Sequence, residues 1–280
     1  MVKLKNIRKA YFAGRFYPAE KSELNQLIEK IFQQEKSKIK TALIEKKIIG
    51  GVVPHAGYIF SAYQAVHFFE LIRKSEQKFD TIVIVNPSHT GYGEDISLSD
   101  DEAWETPFGD IDVDLGFSAK TGLKFSKIAH EDEHSGEVML PLLKYFLDYE
   151  FKIVPICIKT QNPDTAKQTA EAIYKAGQES NKEILVIASS DFSHFVSPDF
   201  GKVQDDYVID EILKLNTTGI YHQVKKHNVS CCGYGPIMAL VEYSKLVSEH
   251  PKVEILKRGH SGEVYPADEV VDYVSMLAFD

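Results

Sequence analysis

The chain has 280 residues, 44% hydrophobic and 26% charged, with a net charge of −9. An acidic chain without a basic block argues against nucleic acid or an anionic membrane as the main partner, and no stretch approaches the length of a membrane span. Three cysteines, two of them adjacent (Cys231 and Cys232), make no disulfide framework, and the basic N-terminal stretch MVKLKNIRKAYFAG has no apolar run of signal-peptide length, so a reducing cytoplasm is the expected compartment.

Near the start, Gly14 and Pro18 bracket an aromatic loop tucked onto the core by Phe16 and Tyr17. Ser22 then caps a helix with Leu24, Leu27, Ile28, Ile31 and Phe32 at helical spacing. The lysine-rich piece from Glu35 to Lys47 reads as a solvated connection or a helix end. The apolar run Ile48 to Val53 is a buried strand that breaks at Pro54-His55-Ala56-Gly57-Tyr58, with a helix from Ala62 to Arg73 in which His67 packs. The run Thr81 to Val85 breaks at Asn86-Pro87-Ser88-His89, followed by a long acidic excursion, Tyr92 to Asp110, with short strands pinned by Trp104 and Pro107.

The cluster from His130 to Glu137 places acids at the N-terminus of an apolar helix, Val138 to Leu147, where the helix dipole favours them. Lys152 to Ile158 is a strand with Cys157 in the core, and Asp164 to Ala176 a helix. The run Ile184 to Ala188 breaks at Ser189-Ser190-Asp191-Phe192-Ser193-His194. Helices are expected over Phe200 to Leu215, Gly219 to His227 and Ile237 to Val247, the last opened by Pro236 after the tight loop that carries Cys232 and Gly233. Strands at Val253 to Leu256 and Val270 to Phe279 close the chain, and His260 falls in a loop between them. The alternation predicts a single α/β domain, residues 1–280, around a central, largely parallel sheet flanked by helices.

Three apolar strands thus each hand over to a histidine-bearing loop, at the edge where open α/β sheets bind ligands. His55, His89 and His194, with Cys232, make a plausible first-row metal site, since imidazole suits zinc, copper and iron and thiolate adds softness and charge. Asp191 is placed to orient an imidazole. His134, flanked by acids, either lines the site or pairs at a helix start. His222, His227 and His250 read as solvated.

The motifs PHAGY, NPSHTG, DEHSGE, SSDFSH and CCGYGP, in this order, resemble the Memo family, whose prokaryotic members are called AmmeMemoRadiSam system protein B. The resemblance runs from AGRFYPA to the last strand. It implies the fold of class III extradiol dioxygenases, which hold non-haem Fe(II) with two histidines and a carboxylate. By resemblance His55 and His89 are the metal histidines, Cys232 stands where those enzymes have the carboxylate, His194 and Asp191 are the catalytic pair, and His134 and Glu137 line the pocket. A thiolate in place of a carboxylate favours copper or zinc without excluding iron, so dioxygenase activity does not carry over. The resemblance further implies a functional link to a radical-SAM protein and its companion.

Two classes of function follow. One is a metal-dependent oxidoreductase that uses iron or copper (zinc also fits), with oxygen, on a small molecule, with His194 as ligand or general base. The other is a non-catalytic module on the same scaffold that binds a peptide or other ligand, or sequesters copper or iron. A hydrolase is the weaker expectation: Ser88 and Ser135 lie beside histidines, but neither sits in a G-x-S-x-G elbow.

Overall fold

Four apolar runs without polar alternation form the middle of the sheet. The computed structural model describes residues 5–280; residues 1–4, the start of the basic N-terminal stretch, lie outside the described residues. In spatial order the four strands are Ile48–Val53, Ile184–Ser189, Thr81–Pro87 and Lys152–Ile158, each parallel to its neighbour. Their continuous hydrophobicity has a direct cause, because both faces are covered. Ile82 and Ile84 point into one apolar cluster, under the helices Lys21–Glu35, Tyr58–Lys74 and Met139–Phe146. Val83 and Val85 point into the other, under Pro163–Ser180, Pro198–Leu213, Thr217–His227 and Tyr234–Val247. No described helix is long and apolar enough to cross a membrane.

Antiparallel strands flank these four on both sides. Val270–Phe279 pairs with Ile48–Val53 and also with Lys252–His260 and His194–Val196; on the far side Ile96–Leu98 pairs with Lys152–Ile158, and Lys124–Phe125 runs parallel to Ile96–Leu98 as the outermost strand. A separate small sheet joins Ile7–Arg8 to Ala103–Trp104 and Ile111–Asp112, and so ties the N-terminal segment to the acidic excursion. The sheet also needs close backbone approach. A Cβ on Gly50 would lie 2.0 Å from Val186 O, and one on Gly51 2.4 Å from Met276 O.

Two local expectations give way to tertiary contacts. His260 is not in a loop: it is the last residue of the strand Lys252–His260, paired opposite Asp272, because cross-strand pairing outweighs the turn signal of Arg258-Gly259-His260. The lysine-rich connection is not wholly solvated. Glu35, Ile39 and Leu43 are buried, and two 3-10 turns, Lys36–Lys38 and Thr41–Leu43, carry the chain over the core. Glu35 is accommodated there by Lys38, Lys257 and His67 Nε2, the last at 3.0 Å, which gives His67 the packing role its apolar neighbours predicted.

Candidate functional site

The parallel strands end on one edge, and three of their loops meet there with the short helix His134–Glu137. His55 follows Val53 and Pro54 and is 1% exposed. Its backbone N–H donates to Asp191 Oδ1 at 2.8 Å, and its Nδ1 lies 2.8 Å from Ser189 Oγ. The Ser189 hydroxyl donates to Ser135 O at 2.7 Å, so it turns a lone pair to His55. The Nδ1 of His55 therefore carries the ring proton and Nε2 keeps its lone pair.

His89 reaches the same state by another route. Glu133 accepts from His89 backbone N–H at 2.6 Å and from Nδ1 at 2.9 Å, so the neutral His89 ring has its lone pair on Nε2. Glu133 also accepts from Ser135 N–H at 3.0 Å, capping the helix that starts at His134. A ring nitrogen from each of His55, His89 and His134 lies within 4.8 Å of the others.

These groups are electrically set for cations. Burial, with His89 nearby, holds the His55 imidazole well below its usual range. Burial, with His55 and His89, lowers His134 to about 3. Burial alone would raise Glu133, but its bonds to His89 and Ser135 bring it to about 2. At neutral pH the site thus presents the neutral imidazoles of His55 and His134 beside the Glu133 carboxylate.

Cys232 closes the other side. Its Sγ lies 3.3 Å from His55 Nε2 and accepts from Asp191 N–H at 3.3 Å. Burial and the Asp191 charge push this thiol well above its ordinary value, so it is protonated, with His55 Nε2 at 3.3 Å and Asp191 O at 3.6 Å as the acceptors in reach. Asp191 Oδ2 is 3.9 Å from the same Nε2. His194 is partly exposed, with Nδ1 donating to Ser230 O at 2.8 Å. That carbonyl, and not Asp191, fixes the His194 tautomer, so the neutral ring has its lone pair on Nε2. Asp191 instead holds main chain, at His55.

The N-terminal segment forms a wall. Arg8 is 4% exposed, stacked 4.1 Å over Trp104. It donates to Glu137 Oε2 at 2.5 Å and to the carbonyls of His130 and Glu133 at 2.7 and 3.0 Å. Glu137 accepts in addition from Phe12 N–H and the Tyr17 hydroxyl, at 2.9 and 2.7 Å. Phe16 packs on His134, ring centroids 4.6 Å apart. Beside it opens an apolar groove of about 560 Å³ lined by Phe16, Pro18, Gly57, Ile59 and Phe60.

The structure therefore brings together His55, His89, His134, Asp191 and Cys232. His194 is at the rim. Glu137 faces away from the imidazoles, into the wall that supports them. Three contributors escape a reading of the sequence: Glu133, one acid among several in HEDEH; Ser189, which looks like the end of an apolar strand; and Arg8, whose bonds to His130, Glu133 and Glu137 span more than a hundred residues. Only the first leaves a local signal, as the residue just before a short helix. The serines of the hydrolase reading contact other groups, Ser135 Oγ donating to Glu133 and Ser88 Oγ lying 3.5 Å from Thr90.

An iron, copper or zinc ion fits these residues by their chemistry. Two imidazoles are locked by Ser189 and Glu133 in the tautomer that offers Nε2, a third is adjacent, and the sulfur of Cys232 lies 3.3 Å from His55 Nε2. Comparisons with known proteins complete the description. A family model described as "Memo-like protein" matches residues 8–277. A MEMO1 family protein of Methanococcoides burtonii is 38% identical over 274 residues, covering 97% of this chain and 99% of the relative. Another, of Desulfurococcus amylolyticus, is 39% identical over 266 residues, covering 91% and 93%. Among solved structures, an uncharacterized protein of Escherichia coli K12 superposes with a TM-score of 0.53 at 12% identity, over 76% of this chain and 91% of that one, a likeness of fold.

Proposed function

The chain belongs to the Memo-like protein family, and from that premise we propose that it is a metal-dependent oxidoreductase whose iron or copper ion is held by His55, His89 and Cys232. The observation that carries the reading is the matched tautomers: Ser189 and Glu133 each accept a hydrogen bond from an Nδ1–H and leave an Nε2 lone pair at the sheet edge. Support comes also from Cys232, whose sulfur lies 3.3 Å from His55 Nε2 and carries the proton a cation would displace. His134 is the alternative third donor, since its ring nitrogen stands with those of His55 and His89.

The bound ion supplies Lewis acidity and one-electron chemistry with dioxygen. The protein's own residues do the rest. His194, with Nε2 free at the rim, takes a proton from a substrate hydroxyl, and Ser230 O holds the proton at its Nδ1. Phe16 and the groove beside it receive the apolar part of a small substrate. Asp191 keeps His55 and Cys232 in register through their backbone and sulfur.

The test is oxygen uptake by iron- or copper-loaded protein over a panel of small phenols. Uptake that disappears in Cys232→Ser and falls on the order of a hundredfold in His194→Gln supports the reading. Uptake equal in wild type and both variants contradicts it. The second reading, a ligand-binding or metal-sequestering module, is favoured by one observation: without an ion the Cys232 thiol is held protonated, far from a reactive nucleophile. It predicts stoichiometric metal with no turnover. The link to a radical-SAM protein and its companion belongs to the same proposal, with this site as the common element.

A further inference from the structure

Ser193 lies between Asp191 and His194, and it is held from two sides. Asp205, on the helix Pro198–Leu213, accepts at Oδ1 from the Ser193 backbone N–H and hydroxyl, at 3.0 and 2.7 Å. Asp272, on the strand Val270–Phe279, holds the main chain of the same loop. Phe192 N–H donates to Asp272 O at 2.9 Å, and Asp272 N–H to Ser193 O at 2.8 Å.

The two acidic side chains meet behind the loop. Asp205 and Asp272 are 1% and 6% exposed, and their carboxyl groups lie within hydrogen-bonding reach of each other. Asp272 Oδ2 receives no N–H or O–H donor from any other described residue. The helix approaches so closely that a Cβ on Gly201 would lie 2.2 Å from that oxygen. Two buried carboxyl groups in contact cannot both ionise at small cost, so one proton between them is the favoured state.

The surroundings decide how firmly it is held. Arg258, on Lys252–His260, is the nearest cation, but its guanidinium is engaged by Asp206 and by Lys202 O. Its field favours ionisation of the pair, and that of Glu263 opposes it. Asp199, Lys202, His260 and Tyr273 also line the small cavity in front of the pair. On the buried side stands Cys231, whose thiol burial pushes up to about 12, so it adds no charge. Burial outweighs Arg258 at both groups: it raises Asp205 to about 6, and together with the charge and hydrogen bond of Asp205 it raises Asp272 to about 8.

We propose that a single proton shared by Asp205 and Asp272 is a latch that holds the Asp191–His194 loop in place, and that its loss frees the loop. With the proton present, helix and strand are drawn together and Ser193 is clamped between them. Without it, two negative charges push the helix from the strand, and the bonds to Ser193 and Phe192 loosen. The change reaches the histidine cluster through main chain, because Cys232 N–H donates to Asp191 O at 3.3 Å and Asp191 Oδ1 holds His55 N–H at 2.8 Å. The latch needs no metal, so its failure and that of the metal reading are separate results.

The test is amide hydrogen exchange on the intact protein at pH 6 and pH 9, each corrected for the intrinsic exchange rate, read on a peptide spanning Asp191 to Val196. In wild type, protection of this peptide is expected to fall on the order of tenfold at pH 9, while a peptide from Thr81–Pro87 keeps its protection. Asp272→Asn donates a permanent hydrogen bond to Asp205 and cannot titrate in this range, so its loop is expected to stay protected at both pH values. Equal corrected protection of the wild-type loop at pH 6 and pH 9 overturns the proposal without any variant. An Asp272→Asn loop that loosens at pH 9 as the wild type does overturns it as well.

Discussion

At the scale of single residues, the site is built by groups that set protons on other groups. Glu133 is the clearest case, since it bonds both the backbone and the ring of His89 and caps the helix that presents His134. Glu133→Gln keeps the shape but weakens the hold on Nδ1–H. It is expected to lower metal affinity about 10- to 100-fold, measured by competition with a chelator of known strength; unchanged affinity contradicts the role given to this carboxylate. Asp272 gives a second prediction, with a definite sign. Its carboxyl is raised from an ordinary 3.8 to about 8 in the folded chain. Between those values the unfolded state binds fewer protons than the folded one, so this group makes stability fall as pH rises from about 4 to about 8. Asp272→Asn is expected to remove that slope, read as the difference in urea midpoint between pH 5 and pH 8. A variant with the wild-type slope contradicts the assignment.

Residues also differ in how visible they are before folding. His55, His89 and His194 stand out because each ends an apolar run beside Pro, Ser or Asp, and the structure puts all three at the sheet's carboxyl edge. Glu133 and Ser189 do not stand out, because their function is to accept or donate one hydrogen bond across loops 44 and 54 residues apart in sequence. Such a bond has no period and no composition. Arg8 is hidden for the same reason, among the lysines and arginines of a basic N-terminal stretch.

At the scale of elements, the strands were legible from hydrophobic runs and the helices from their spacing, with ends shifted by a few residues. The helix predicted over Ala62 to Arg73, for example, is Tyr58–Lys74, since the turn after His55 goes straight into it. Pairing at the edges was not legible, which is why Lys252–His260 runs longer than its apolar center suggests. Two predictions belong here. Gly50→Ala forces a methyl against Val186 O and is expected to destabilise the chain by about 1–3 kcal/mol or more, read from chemical denaturation. Arg8→Ala leaves Glu137 buried without its cation and the carbonyls of His130 and Glu133 without a donor. The expected loss is about 3–5 kcal/mol by the same measurement. A loss below 1 kcal/mol would show that the N-terminal wall is not a support of the histidine cluster.

At the scale of the whole molecule, the sheet is a rigid frame covered on both faces, and the site is a set of loops on its carboxyl edge closed by the N-terminal segment. An ion bound there, and not by the unfolded chain, stabilises the fold by mass action, by about 2.7 kcal/mol at a hundredfold excess over its dissociation constant. The direct measurement of the central claim is metal content by mass spectrometry, on protein purified without oxygen and then loaded with Fe(II) or Cu(I), beside His55→Ala and Cys232→Ser. The account predicts close to one ion per wild-type chain, lost in His55→Ala and lost or markedly weakened in Cys232→Ser. Wild-type protein that binds neither ion, or His55→Ala that binds as well as wild type, contradicts it.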